Sequence, residues 1–235
     1  DYSYSTGVGS STYARGVAAD STGAIYIAAA GVRLIDGLYD YDWLVLKSAT
    51  GTSTLSVVDN FDNATGTTAL VQGIAVDSSN SIYVVGSGTG GWIVRKSSDG
   101  GSSWTTVDTF ALTPTDGNSP SANANGITVA PNGSIYVVGE SRVDSSHFAA
   151  IVRKSTDAGV TWTTVDQYNP EPLGTEARSV AVGPSGEVYV FNQYNPTSES
   201  SANAFNAVEI KIRKSTDAGT TWTEVYSGEV DTLRD

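Results

Sequence analysis

Ser155-Thr156-Asp157-Ala158-Gly159-Val160-Thr161-Trp162 returns almost unchanged as Ser215-Thr216-Asp217-Ala218-Gly219-Thr220-Thr221-Trp222. A looser copy stands earlier, at Ser97-Ser98-Asp99-Gly100-Gly101-Ser102-Ser103-Trp104. The shared pattern is Ser-x-Asp-x-Gly-x-x-Trp, and its chemistry reads as a structural corner. The carboxylates of Asp99, Asp157 and Asp217 can accept hydrogen bonds from the backbone N–H groups of their own turns. Gly101, Gly159 and Gly219 admit backbone angles that a side chain would oppose. Trp104, Trp162 and Trp222 can pack beneath the turn and tie it to an apolar core.

The flanks of each corner repeat as well. Ahead of it lies a β-branched run, as in Trp92-Ile93-Val94-Arg95-Lys96, Ala150–Lys154 and Ile210–Lys214. Behind it lies another, from Trp104, Trp162 and Trp222 onward. Further upstream, Gly73-Ile74-Ala75-Val76-Asp77 is followed by Ser81-Ile82-Tyr83-Val84-Val85-Gly86, and the same grammar begins at residues 16, 126 and 179. Turn residues such as Pro131-Asn132-Gly133 separate the two runs. Each unit therefore predicts four short strands, a to d, with the corner between c and d. The units cover about 16–61, 73–110, 126–168 and 179–226, starting 57, 53 and 53 residues apart. Four-stranded units at this period predict an all-β protein, a β-propeller of antiparallel blades, as a single domain over 1–235. The first unit carries Ser48-Ala49-Thr50-Gly51-Thr52-Ser53-Thr54-Leu55 where its corner belongs, so its turn should be held less rigidly.

This corner, between the right two strands of three units, resembles the Asp-box, or bacterial neuraminidase repeat, of sialidase-like propellers. The resemblance implies structural roles for Ser97, Asp99, Gly101, Trp104, Ser155, Asp157, Gly159, Trp162, Ser215, Asp217, Gly219 and Trp222, on the face opposite an active site. Sialidases of that type have six blades, whereas four units are visible here. A small ring, or a ring completed by another chain or further sequence, would each satisfy the pattern. An open arc would expose apolar flanks, so a homo-oligomer is one expected outcome.

Composition narrows the partners. The formal net charge of -12 repels phosphate backbones, so nucleic acid is not expected. No apolar run is long enough for a membrane helix, and no membrane insertion is expected. There is no cysteine, hence neither disulfide nor thiolate metal site. A surface rich in Ser, Thr, Gly and Asn with only 16% charged residues suits an exported bacterial protein, secreted or at the cell surface. The opening Asp1-Tyr2-Ser3-Tyr4 does not read as a signal peptide, which fits a processed chain.

The a–b and c–d turns are short and repetitive. The b–c connections (28–42, 140–149 and 192–209) and d–a connections (62–72, 111–125 and 169–178) are long and varied, and such loops on a repeated frame are where binding sites sit. Aromatic rings stack on sugar C–H faces while amides and charged groups take the hydroxyls. On that basis Arg33, Tyr39, Tyr41, Arg142, His147, Tyr194 and Phe205 are the candidate ligand-binding residues for a glycan or a surface protein. No catalytic set is assigned. A sialidase would need three arginines, a Tyr–Glu pair and an Asp, and the family's Arg-Ile-Pro type motif has no match. Arg95, Arg153 and Arg213 share one strand position and read as strand-face residues. Asp36, Asp40 and Asp42 form a weak calcium candidate, with a solvated acidic loop as the plainer reading; no other cofactor is expected. The leading expectation is a non-catalytic recognition or adhesion module. A sialidase-like hydrolase and a protein-docking scaffold are the alternatives.

Overall fold

A computed structural model of the chain describes residues 11–35, 38–61, 69–89, 91–170, 174–194 and 207–231. All regular structure among them is β. The chain divides into two compact units, 1–110 and 111–235. The first unit holds two sheets, β1(Ser11–Ala19), β2(Ile25–Ile35), β3(Leu38–Ser48), β4(Ser56–Phe61) and then β5(Leu70–Val76), β6(Ile82–Gly88), β7(Gly91–Ser97), β8(Thr105–Phe110). The second unit holds β9(Ala122–Val129), β10(Ile135–Arg142), β11(Phe148–Ser155), β12(Thr163–Tyr168) and β13(Thr175–Val182), β14(Val188–Tyr194), β15(Ala207–Ser215), β16(Thr223–Asp231). Each sheet is an antiparallel meander in chain order, one per sequence repeat. We number the sheets one to four.

Two features of the strands depart from the sequence expectation. The first strand of each sheet starts several residues before the repeat, because one extra residue interrupts its alternation. The register shifts at Arg15, Gln72, Asn125 and Arg178. A bulge of this kind breaks the period of two on which a strand is recognised. Second, the connection over 28–42 is no loop. β2 and β3 run on through it, pairing Val32 with Tyr41, Leu34 with Tyr39 and Ile35 with Leu38. The alternation of Tyr39-Asp40-Tyr41-Asp42 is that of a strand.

In each unit the core lies between two facing sheets. Tyr26, Ala28, Trp43 and Val45 of sheet one pack on Val71, Ile82, Val84 and Ile93 of sheet two. Tyr136, Val138, Ala150 and Val152 of sheet three pack on Ala177, Val180, Val188 and Val190 of sheet four. At about 1.5–3 kcal/mol per buried large apolar side chain, these seams are the main source of stability.

The three corners share one hydrogen-bond geometry. Ser97 Oγ donates to Asp99 Oδ1 (2.8 Å), and Gly101 N donates to Ser97 Oγ (2.9 Å). Ser103 N donates to Oδ1 (2.9 Å) and Ser103 Oγ to Oδ2 (2.6 Å) of the same carboxylate. The corners at 155–162 and 215–222 repeat these bonds. Stabilisation of the anion by these donors holds each Asp carboxyl down at about 2. In sheet one the turn has no aspartate and is tied by hydroxyls: Ser48 Oγ donates to Thr52 O, Thr52 Oγ1 to Ala49 O, and Thr50 Oγ1 to Thr22 O on the adjacent turn (2.7 Å).

The tryptophan does more than plug its own turn. Trp104 Nε1 donates to Gly101 O and also to Val58 O on β4 of the preceding sheet (3.0 Å). Trp222 does the same to Gly219 O and to Val165 O on β12. Beside it runs an ionic latch. Arg95 on β7 forms a bidentate pair with Asp59 on β4 (2.8 and 3.0 Å), lying over the Phe61 ring at 4.4 Å. Arg213 on β15 pairs with Asp166 on β12 and lies over Tyr168 at 4.0 Å. A lysine completes the seam in return, Lys47 Nζ donating to Gly100 O (2.7 Å) and Lys154 Nζ to Ala218 O (2.9 Å). Arg95 and Arg213 are thus sheet-to-sheet ties, in keeping with their reading as strand-face residues.

Candidate functional site

The corners occupy one end of each sheet, after the third strand. In the second unit the opposite end gathers charged and amide side chains from β9, β10 and β13. Glu140, near the end of β10, is 8% exposed, and the amides of its neighbours satisfy it. Asn123 Nδ2 donates to its Oε1 (2.8 Å) and Asn125 Nδ2 to its Oε2 (3.2 Å). Asn125 is the bulge residue of β9, and its amide also reaches Ala177 O on β13 (3.1 Å), tying sheet three to sheet four. The bulge turns this side chain out of the strand alternation and into the site.

The strand β13 delivers the second carboxylate. Gly174, with φ of +95°, passes so near Phe148 that a Cβ would stand 2.7 Å from Phe148 N; only glycine allows that approach. Thr175 and Glu176 follow directly. Glu176 forms an ion pair with Arg178, the bulge residue of β13. Burial, followed by repulsion from Glu140, raises the Glu176 carboxyl above its ordinary value, and Arg178 only partly offsets this. Thr175 Oγ1 and Arg142 Nε are buried without a hydrogen-bond partner. Such groups are costly to leave unsatisfied, at about 1–3 kcal/mol each.

The β10–β11 hairpin forms the rim. Arg142 lies two residues beyond Glu140 on the same strand face, with its guanidinium 5.3 Å from the Phe148 ring centre. His147 Nδ1 lies 2.6 Å from Asp144 Oδ1. Asp144 is held below the usual carboxylate range by the Ser146 backbone N–H and then by His147. The segment before β9 packs against this hairpin, through Thr115 N to Val143 O (2.9 Å) and Leu112 N to Ser141 Oγ (2.8 Å). The result is a half-exposed floor of two carboxylates, two amides and a guanidinium, edged by a cation, an imidazole and a phenyl ring.

Of the residues expected to bind ligand, the structure brings Arg142 and His147 together on this rim. Tyr41 is half-buried in β3 of the first unit, where its carbonyl accepts from Ala69 N (3.1 Å). Arg33, Tyr39 and Tyr194 have their backbones in β2, β3 and β14, but their side chains lie outside the described residues, as does all of Phe205. For the calcium candidate, Asp42 is fully buried on β3, whereas Asp36 and the Asp40 side chain lie outside the described set. No group of three metal-ligating side chains is found among the described residues. The expected set missed Glu140, Asn123, Asn125 and Glu176. One signal was present: a polar residue, Arg15, Gln72, Asn125 or Arg178, precedes the repeat in every unit.

No family model matches the chain, and no curated protein is significantly similar to it. Solved structures do match its fold. A protein of unknown function from Dyadobacter fermentans is 16% identical over 90% of this chain and 68% of its own, with a TM-score of 0.58. The α-L-arabinofuranosidase of Fusarium graminearum, solved with arabinobiose, is 13% identical over 93% of this chain and 66% of its own, with a TM-score of 0.63. The sialidase NanB of Streptococcus pneumoniae is 10% identical over 94% of this chain and 49% of its own, with a TM-score of 0.60. Such identities establish the fold alone: the chain is all-β and of the β-propeller class. It spans from about half to about two thirds of the chains it matches. No helix among the described residues is long and apolar enough to cross a membrane.

Proposed function

We propose that this chain is an exported bacterial recognition module of the Asp-box propeller type, binding carbohydrate at the Glu140–Glu176 end of its second unit. The observation that carries the reading is the convergence there of Glu140, Asn123, Asn125, Glu176 and Arg178 from three strands, beside the Phe148 ring and the unpartnered Arg142 Nε. Carboxylates and amides take sugar hydroxyls in fixed directions, and an aromatic edge takes the C–H face. The solved propellers of the same fold include an arabinofuranosidase holding arabinobiose and a sialidase, which supports a glycan over other ligands. A glycan array, followed by calorimetry with arabinan oligosaccharides and sialosides, tests it. Glu176→Gln and Arg178→Ala should each weaken binding at least tenfold, while the corner variant Asp157→Asn leaves it unchanged. An array without a single positive, with no partner in pull-downs, refutes the reading.

A glycoside hydrolase is the second reading, favoured by the carboxylate pair itself. Glu140 accepts from two amide donors, while burial pushes Glu176 toward its protonated form. A carboxyl raised by burial beside a second carboxyl is the arrangement from which an acid and a base or nucleophile can be drawn. Turnover of fluorogenic arabinosides or sialosides, abolished by Glu176→Gln, would establish it. No turnover at micromolar protein dismisses it.

A further inference from the structure

The seam within each unit has a leading side, carried by the later sheet, and a trailing side, carried by the earlier one. The strand registers align these sides position by position across all four sheets. On the leading side, the arginine position reads Arg95, Arg153 and Arg213 in sheets two to four but Leu46 in sheet one. The residue paired with it across the last two strands is Thr106, Thr164 or Glu224, but Val57 in sheet one. The indole position reads Trp104, Trp162 and Trp222, but Leu55. All three polar or indole elements of the latch are thus replaced by aliphatic residues in sheet one alone.

The trailing side changes in sheet four alone. The carboxylate position reads Asp59, Asp108 and Asp166 in sheets one to three, but Tyr226 in sheet four. The aromatic position reads Phe61, Phe110 and Tyr168, but Gly228. The Tyr226 ring leans over that glycine: a Cβ there would stand 2.6 Å from Tyr226 Oη. The bulge valine, half-buried as Val58 and Val165 against the next sheet, is 52% exposed as Val225, and Tyr226 is 50% exposed. Val17, Ile25 and Val57 of sheet one are likewise exposed, whereas Leu46 beside Val57 is buried at 4%.

We propose that the trailing side of sheet four binds the leading side of sheet one of a second copy of this chain, through an apolar seam. The two sides have lost complementary halves of one latch. A sheet presenting Asp would leave that carboxylate unpaired against Leu46, and a sheet presenting Arg would leave its guanidinium unpaired against Tyr226. Each mismatch would bury an uncompensated charge. The exposed Val57 and the half-buried Leu55, over the buried Leu46, instead offer Tyr226 and Val225 an aliphatic surface with no charge to pair. The contact is heterologous, so copies add head to tail.

Light scattering coupled to gel filtration, from about 1 to about 100 µM, tests this. The expected mass is at least twice the 24.4 kDa of the chain, rising with concentration. Tyr226→Asp with Val225→Ser, at exposed positions, should return the chain to a monomer with unchanged far-UV dichroism. Adding Val57→Arg, at an exposed position of sheet one, should supply the new carboxylate with a partner and recover the association. Because the chain lacks cysteine, Val57→Cys and Tyr226→Cys chains mixed with a short bismaleimide provide a readout independent of that third substitution. They should yield a heterodimer. A monomer mass at every concentration, or a Tyr226→Asp variant that associates as well as the native chain, overturns the proposal. Neither outcome bears on carbohydrate binding.

Discussion

Arg95→Met in the latch of the first unit should be costly, and its cost should depend on pH. Asp59 is 9% exposed and faces Arg95 through two hydrogen bonds of 2.8 and 3.0 Å. Burial is the largest influence on its carboxyl and raises it above the ordinary value even with the arginine in place. Methionine keeps the aliphatic stem over Phe61 and removes every donor. The carboxylate is then buried and unpaired, a defect of about 3–5 kcal/mol, with about 1 kcal/mol more from the lost contact with the Phe61 ring. Without arginine the folded-state carboxyl rises further. A raised value means that the folded state holds the proton more tightly than the unfolded chain, so stability falls as pH rises through the folded-state value. The cost should therefore be smaller at pH 4 than at pH 8, because protonation relieves the defect. Urea unfolding of the native chain, Arg95→Met, Asp59→Leu and the double variant at both pH values measures it. The double variant removes both desolvation penalties and should lie within about 1 kcal/mol of the native chain. An Arg95→Met cost equal at both pH values, or a double variant no better than the single one, would refute the reasoning. Arg213 and Asp166 provide an independent repeat of the experiment in the second unit.

Three further outcomes are expected. The corner carboxylates, held at about 2, contribute stability that is present above their unfolded value of 3.8 and disappears as pH falls toward 2. Asp157→Asn should accordingly flatten the acid limb of a melting-temperature profile between pH 4 and 2, and an unchanged limb would count against the bonds described. Gly139→Ala should destabilise by about 3 kcal/mol or more, because its Cβ would sit 1.9 Å from Asn123 O, which is backbone and cannot swing away; thermal melts that match the native chain would show that the strand crossing is looser. Backbone amides over 48–55 should exchange with solvent faster than those over 97–104, since Thr50 stands where Asp99 anchors its turn; equal protection would contradict this.

The corners, the strands beside them and the four-unit period could be read directly because their causes are local. Ser97, Asp99, Gly101 and Ser103 bond within one turn, and alternation along Ile82–Val85 reports on one strand. The reading stopped where a single extra residue at Asn125 or Arg178 shifted that alternation, and where Tyr39 and Tyr41 continued a hairpin that resembled a loop. Other relations were decided only by the packing of sheet on sheet. Arg95 meets Asp59 from 36 positions away, and Glu140 approaches Glu176 only because Gly174 lets β13 pass close to Phe148. Hydrogen bonds within a turn are written in adjacent letters of the chain. Desolvation and charge pairing depend on which faces come together, and the three-dimensional structure alone supplies that.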